Sequence, residues 1–126
     1  MDCLFCNLPV SRLIAERPLC VTVRDRFPVS NGHTLIIAKR HVASAFELTN
    51  EEREAIWAAC LEAKSGLDQE LAPDGYNFGF NIGKAAGQSV MHVHLHLIPR
   101  YRGDVDQPRG GIRHCVPGKG YYELEG

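Results

Sequence analysis

The 126-residue chain contains no run approaching the roughly 18 consecutive apolar residues that would cross a bilayer. It has no surplus of charge of either sign: 14 Lys and Arg stand against 15 Asp and Glu, a formal net charge of −1. That balance argues against a general nucleic-acid coat or an acidic interaction tail and leaves only local basic patches open. The start, Met1-Asp2-Cys3-Leu4-Phe5-Cys6, lacks the positive residues and long apolar stretch of a secretory signal, so a cytoplasmic location is the expectation. Five cysteines are an odd number, and in a reducing compartment they do not build a disulfide framework. Cys20, Cys60 and Cys115 are isolated and read as small buried apolar residues. Internal repeats and linkers are also missing. What remains, 44% hydrophobic and 23% charged residues, is the composition of a globular chain. Its length fits one domain over 1–126, large enough to bury about two-thirds of its unfolded surface.

Leu19-Cys20-Val21-Thr22-Val23 is short, apolar and β-branched, which predicts a strand. A polar stretch from Arg24 to Gly32 follows, and its Asn31-Gly32 pair predicts a tight reversal into a second, antiparallel strand over His33–Ala38. Thr49-Asn50-Glu51-Glu52 has the form of a capping box. Behind it Ile56, Cys60, Leu67 and Leu71 recur at helical spacing, with Trp57 and Leu61 widening the stripe. The helix is predicted from Asn50 to Leu71, ahead of the breaker Pro73-Asp74-Gly75. Tyr76–Ile82 and Met91–Ile98 alternate as strands, the second ended by Pro99, with the glycine-punctuated Gly83–Ser89 between them. From about residue 100 glycine and proline recur without a period, which predicts an extended tail. Strands with one long helix between them make an α+β domain with a mostly antiparallel sheet.

His92-Val93-His94-Leu95-His96-Leu97-Ile98 is the strongest signal in the chain. Side chains of a strand alternate between faces, so the three histidines share one face while Val93, Leu95 and Leu97 enter the core. The outer two histidines then lie roughly 13 Å apart at their Cα atoms, too far for all three to ligate one ion. One such histidine alone reads as a surface or hydrogen-bonded core residue; for three in strict alternation a metal site built from two adjacent members is one further reading. Nucleophilic catalysis is the other, because a neutral imidazole nitrogen attacks phosphorus near neutral pH and the resulting P–N bond is labile to water.

At these residues the sequence resembles the histidine-triad (HIT) family of nucleotidyl hydrolases and transferases, matching its H-φ-H-φ-H-φ-φ pattern, φ being apolar, at every position. The likeness extends through Asn81-x-Gly83-x-x-Ala86-Gly87-Gln88-Ser89-Val90, Asp25 to His33 and back to Leu4-Phe5. It implies a mostly antiparallel sheet, one long helix and a shorter N-terminal helix. It implies that His94 is the nucleophile, that His96, Ser89 and Gln88 contact the transferring phosphate and leaving group, and that Asn81 contacts phosphate. His33 takes the place of a further histidine lining the site, and Asp25 that of a residue on the ribose hydroxyls, where a carboxylate accepts both protons. Leu4, Phe5 and Val23 would wall the base. Taken alone, Asp25 is a turn former and Gln88 and Ser89 are loop residues; their fixed distance from the triad raises them.

Cys3-x-x-Cys6 lacks the βαβ surroundings of a redox pair and needs two more ligands to close a tetrahedral zinc site. The resemblance supplies His41 and His92, which makes a structural zinc, and no obligatory catalytic metal. Arg100, Arg102, Arg109, Arg113 and Lys119 against Asp104 and Asp106 make the tail basic, either a solvated surface or contacts to a polyphosphate leaving group. The expected function is hydrolysis at the α-phosphate of a dinucleoside polyphosphate or a nucleoside phosphoramidate, with purine nucleotides the family's usual substrates and a homodimer its usual form. Transfer to phosphate, as in a phosphorylase, and a nucleotide-binding regulatory module without turnover are the alternatives. His114 has no assigned role.

Overall fold

The longest element starts where the capping box places it. In the computed structural model, which describes residues 3–123, helix α1 spans Asn50–Leu71. Thr49 Oγ1 accepts from the Glu52 amide at 3.1 Å, and Glu52 Oε1 accepts from the Thr49 amide at 2.8 Å. The Glu52 carboxylate is almost wholly buried and also takes bonds from Arg40 Nε and Nη2 at 3.0 and 2.8 Å. These bonds, with those from Thr49, hold its pKa at about 2. The helix ends at Ala72, which adopts the left-handed conformation just before Pro73.

Five strands form one antiparallel sheet: β1 Leu13–Glu16, β2 Cys20–Arg24, β3 Thr34–Ala38, β4 Gly75–Gly79 and β5 His94–Arg100, in the order β1-β2-β3-β5-β4. Helix α1 covers one face. Ile56, Ala59, Cys60 and Leu67 pack there on Cys20, Ile36, Ala38, Val93, Leu95 and Leu97. On the other face Val21, Val23, Leu35 and Ile37 form a smaller cluster beneath Phe5, Leu8 and Leu13. Trp57 and Leu61 remain half exposed, outside the packed stripe; the Trp57 ring instead meets Phe78 of β4 at 5.6 Å.

Several expectations change in detail. The β2–β3 connection is antiparallel but not a two-residue turn: it is the loop 25–33, closed by the Asp25 amide on the His33 carbonyl at 2.9 Å. Gly32 is required there because φ is +90° and a Cβ would lie 2.8 Å from both Leu67 and Leu71. Pro99 lies inside β5 rather than ending it, paired with Tyr76. The β3 ladder stops at Leu97, so no partner there needs the amide that proline lacks. The shorter N-terminal helix is only the single 3-10 turn Val10–Arg12, since β1 follows at once. The tail is not extended: a 3-10 turn over Gly111–Cys115 folds it back on itself. Strand β1 carries little sequence signal because it has four residues, alternating half-buried with exposed, and a register irregularity at Leu13/Ala15.

The cap and the Arg40 pairing give a graded test by urea unfolding at pH 7. Thr49→Ala costs about 1 kcal/mol. Glu52→Ala also strands Arg40 and costs about 2 kcal/mol or more. Because the folded carboxylate titrates near pH 2, the ionic part of that difference is present above the ordinary carboxylate pKa and is lost as pH falls from 4.5 towards 2.

Candidate active site

Strand β5 turns His94 and His96 to the face opposite α1, with their ring centroids 5.1 Å apart. His92 is not part of the strand. It sits in the bend before β5, its amide bonded to the Val90 carbonyl at 2.9 Å. The row of three therefore splits into a pair on the pleat and one ring set apart.

Backbone groups fix which nitrogen of each ring carries hydrogen. His94 Nδ1–H donates to the His92 carbonyl at 2.7 Å, so in the neutral ring Nε2 holds the lone pair. The Val29 amide donates to His33 Nδ1 at 3.2 Å, which puts the hydrogen of His33 on Nε2. That hydrogen points at His96 Nδ1, 3.0 Å away. His96 Nε2–H is then a donor. Burial lowers the pKa of both rings. For His96 the neighbouring His94 and His33 add to the shift and take it to about 4, while Asp25 opposes it. Asp25 Oδ2 lies 3.5 Å from His33 Nε2, and its Oδ1 accepts from the Phe27 amide at 2.8 Å. Asp25, His33 and His96 have the composition of a metal cluster. The hydrogen on His33 Nε2 argues for a hydrogen-bond chain there instead.

The Gly83–Ser89 loop connects β4 to β5 and turns on Gly83 and Gly87, with φ of +89° and +94°. Gln88 is buried, and its carboxamide is fully occupied by main chain. It accepts from the Gly83 amide at 2.8 Å and donates to the Ala43 and Val90 carbonyls at 2.8 and 3.1 Å. Gln88 thus shapes the loop, whereas Asn81, just ahead of the loop, and Ser89, at its end, are exposed. Of the apolar candidates, Phe5 meets His94 edge-on at 4.8 Å. Val23 is fully buried beneath it and Leu4 is half exposed. Leu8 and Leu13 share the Phe5 cluster; their apolar character in the same N-terminal segment was the available signal for them.

The cysteine pair closes on the two histidines proposed for it. His92 Nδ1 lies 3.4 Å from Cys3 Sγ, 3.5 Å from Cys6 Sγ and 3.2 Å from His41 Nδ1, and Cys6 Sγ lies 3.2 Å from His41 Nδ1. Zinc with bonds of about 2.0–2.1 Å to nitrogen and about 2.3 Å to sulfur has tetrahedral edges near 3.3 Å (N–N) and roughly 3.6 Å (N–S). These four distances lie within about 0.4 Å of those edges, and all four ligand atoms lie within 4.8 Å of one another. His92 Nε2–H donates to the Ala38 carbonyl at 2.5 Å, leaving Nδ1 as the ligand atom, and burial lowers the His92 pKa and keeps the ring neutral.

Comparison with known proteins finds relatives of the same fold. The HIT domain family profile matches residues 9–103. A bis(5'-adenosyl)-triphosphatase of Dictyostelium discoideum is 39% identical over 101 residues, covering 78% of this chain and 68% of that one. An adenosine 5'-monophosphoramidase of Schizosaccharomyces pombe is 36% identical over 105 residues, 79% of this chain and 75% of that protein. Among solved structures, a zinc-bound histidine triad family protein from Mycobacterium smegmatis superposes with a TM-score of 0.73 at 33% identity, covering 82% of this chain and 78% of that one.

The neutral His33–His96 pair carries a stability signature. An unfolded histidine titrates near 6.5, so between that value and about 4 the unfolded chain binds the proton that folded His96 refuses. Stability therefore falls on acidification through this window, by on the order of 1–2 kcal/mol between pH 7 and pH 5. Urea unfolding of His96→Asn should show a shallower pH slope than the wild type; an unchanged slope would remove His96 as its source.

Proposed function

Because the chain belongs to the HIT domain family, we propose that it is a nucleotidyl hydrolase working through a covalent intermediate on His94. The observation that carries this reading is the bond from His94 Nδ1–H to the His92 carbonyl, which leaves Nε2 as a nucleophile beside His96 and Phe5. Phe5, with Leu8 and Leu13, lines the nucleoside end, and Asp25 accepts from the ribose hydroxyls. His94 Nε2 attacks the α-phosphorus; a P–N bond forms, and the bond from phosphorus to the leaving group breaks with its electron pair going to that group. His96 Nε2–H, oriented by His33, hydrogen-bonds the departing atom or the phosphate oxygens without giving up its proton, and an amine leaving group takes the proton it needs from solvent. Asn81 and Ser89 hold the remaining oxygens, and Gln88 keeps their loop in shape. Water then attacks the same phosphorus, the P–N bond breaks with its electron pair returning to His94 Nε2, and the nucleoside monophosphate leaves as one water proton passes to solvent. Phosphoryl chemistry of this kind rests on positioning and charge stabilisation. The substrates in view are a dinucleoside polyphosphate and a nucleoside phosphoramidate, the classes named for the two relatives above.

Cys3, Cys6, His41 and His92 would hold a zinc ion whose part is structural, tying the N-terminal segment that carries Phe5 to the start of β5. All four ligands are protein groups, so the site is closed to substrate. A homodimer fits the exposed edge of β4. Beside it Phe46, Trp57, Phe78, Phe80 and Ile82 line an apolar groove of about 410 Å³, which a second copy would cover.

His94→Ala should lower turnover by on the order of a thousandfold or more while nucleotide affinity stays within a few-fold; near-normal turnover would sink the assignment. Product analysis with and without inorganic phosphate separates a hydrolase from a phosphorylase. Tight binding without turnover by the wild type on either substrate class would mark a regulatory module. For the metal, elemental analysis of purified protein should find stoichiometric zinc that is lost in Cys6→Ser, together with a lower Tm. Wild type without zinc would remove the site.

A further inference from the structure

The carboxy-terminal loop lies beyond residues 9–103 that the family profile matches, and its basic residues, which by sequence are either a solvated surface or contacts to a polyphosphate leaving group, take no part in the steps above. It has one tight arrangement. A Cβ on Gly110 would lie 2.6 Å from the Gly120 carbonyl oxygen, and one on Gly120 would fall within the His114 ring. His114 Nε2–H donates to the Arg109 carbonyl at 2.8 Å, and its ring packs on Tyr121 at 4.4 Å. Arg113 donates to the Gly120 and Lys119 carbonyls at 3.2 and 3.3 Å and lies over Tyr122. These contacts fold residues 109–122 into a collar.

The collar is docked next to the site. A Cβ on Gly111 would lie 3.4 Å from Asn77 Nδ2, and Asn77 of β4 is in register with Ile98 of β5. Antiparallel partners share a face, so Asn77 is on the same face as His94 and His96. It lies one strand across and two residues along from His96, about 8 Å away. The apolar wall for the nucleoside is on the opposite side of β5, over β2 and β3. With the nucleoside there and its α-phosphorus at His94, the rest of a long substrate extends over β4 towards the collar.

The charges of the collar are uncompensated. Arg100 and Arg102 pair with Asp104 and Asp74, but Arg109 and Lys119 have no carboxylate partner among the described residues, and Arg113 meets only carbonyls and a ring. We propose that the collar is a leaving-group subsite, in which Arg109 and Lys119 neutralise the distal phosphates of a dinucleoside polyphosphate. The proposal rests on the hydrolase reading and deepens it, making the polyphosphate, not the phosphoramidate, the substrate class this chain is built for.

The test is the ratio of kcat/KM on diadenosine tetraphosphate to kcat/KM on adenosine phosphoramidate, whose leaving group is too small to reach the collar. The double variant Arg109→Ala with Lys119→Ala should lower this ratio tenfold or more, chiefly through KM on the polyphosphate. In the unaltered protein, raising salt should lower the same ratio, a measurement that needs no folded variant. A ratio unmoved by both treatments would overturn the subsite. A wild type that cleaves neither compound would instead overturn the hydrolase reading.

Discussion

Alternation along β5 is the constraint on which the rest of the molecule depends. Val93, Leu95 and Leu97 are 2–3% exposed beneath α1, and each such side chain contributes about 1.5–3 kcal/mol of burial. His94 and His96 occupy the intervening positions, so the hydrophobic core and the candidate site are written into one strand. A one-residue slip would exchange the two sets and bury the imidazoles under the helix. The register against β3, with Ile37 opposite His94 and Leu35 opposite His96, is thus pinned by the energetics of the core. The same pairing fixes where His33 and His41, at the two ends of β3, meet the histidines of the triad.

Within that frame the main chain assigns the roles of the imidazoles. Four similar rings differ in which nitrogen a peptide group occupies: Nε2 of His92 by the Ala38 carbonyl, Nδ1 of His94 by the His92 carbonyl, and Nδ1 of His33 by the Val29 amide, with His96 set in turn by His33. These contacts give His92 a free Nδ1 towards the cysteines, His94 a free Nε2, and His96 a hydrogen on the opposite nitrogen. Substitutions near these peptides act on the chemistry through the backbone, even where no side chain touches a ligand.

Local pattern carried much of this into the sequence. The capping box at Thr49 and Glu52 and the breaker at Pro73 bounded α1, because each acts through residues near it in the chain. The HxHxH alternation located the face that matters. What local pattern misses is set by contacts distant in sequence. Pro99 is tolerated in β5 only because β3 ends short of it. Gln88 reads as a phosphate ligand until its carboxamide is found on the carbonyl of Ala43, 45 residues away in the chain. His92 belongs to the histidine strand by spacing, yet the bend before β5 gives it a different neighbourhood. The tail has no period to read, since its order comes from glycines that let the Gly120 backbone press on His114.

Neutral His33 and His96 set a further problem for a site proposed to bind a polyanion. Burial keeps His33 and His96 uncharged, and Asp25 adds a carboxylate nearby, so attraction for phosphate has to come from elsewhere. Of the 14 Lys and Arg, seven have carboxylate partners among the described residues. Four of the others, Lys84, Arg109, Arg113 and Lys119, are on the loop beside the triad or on the collar beyond it. The near-zero net charge is therefore a sum over unlike regions: compensated pairs across much of the surface, and a local excess of cations on one side of the histidines. Under the proposed reading, cations held farther out would attract the chain of phosphates while His33 and His96 stay neutral beside His94. Separating those two tasks in space would let one small sheet perform both.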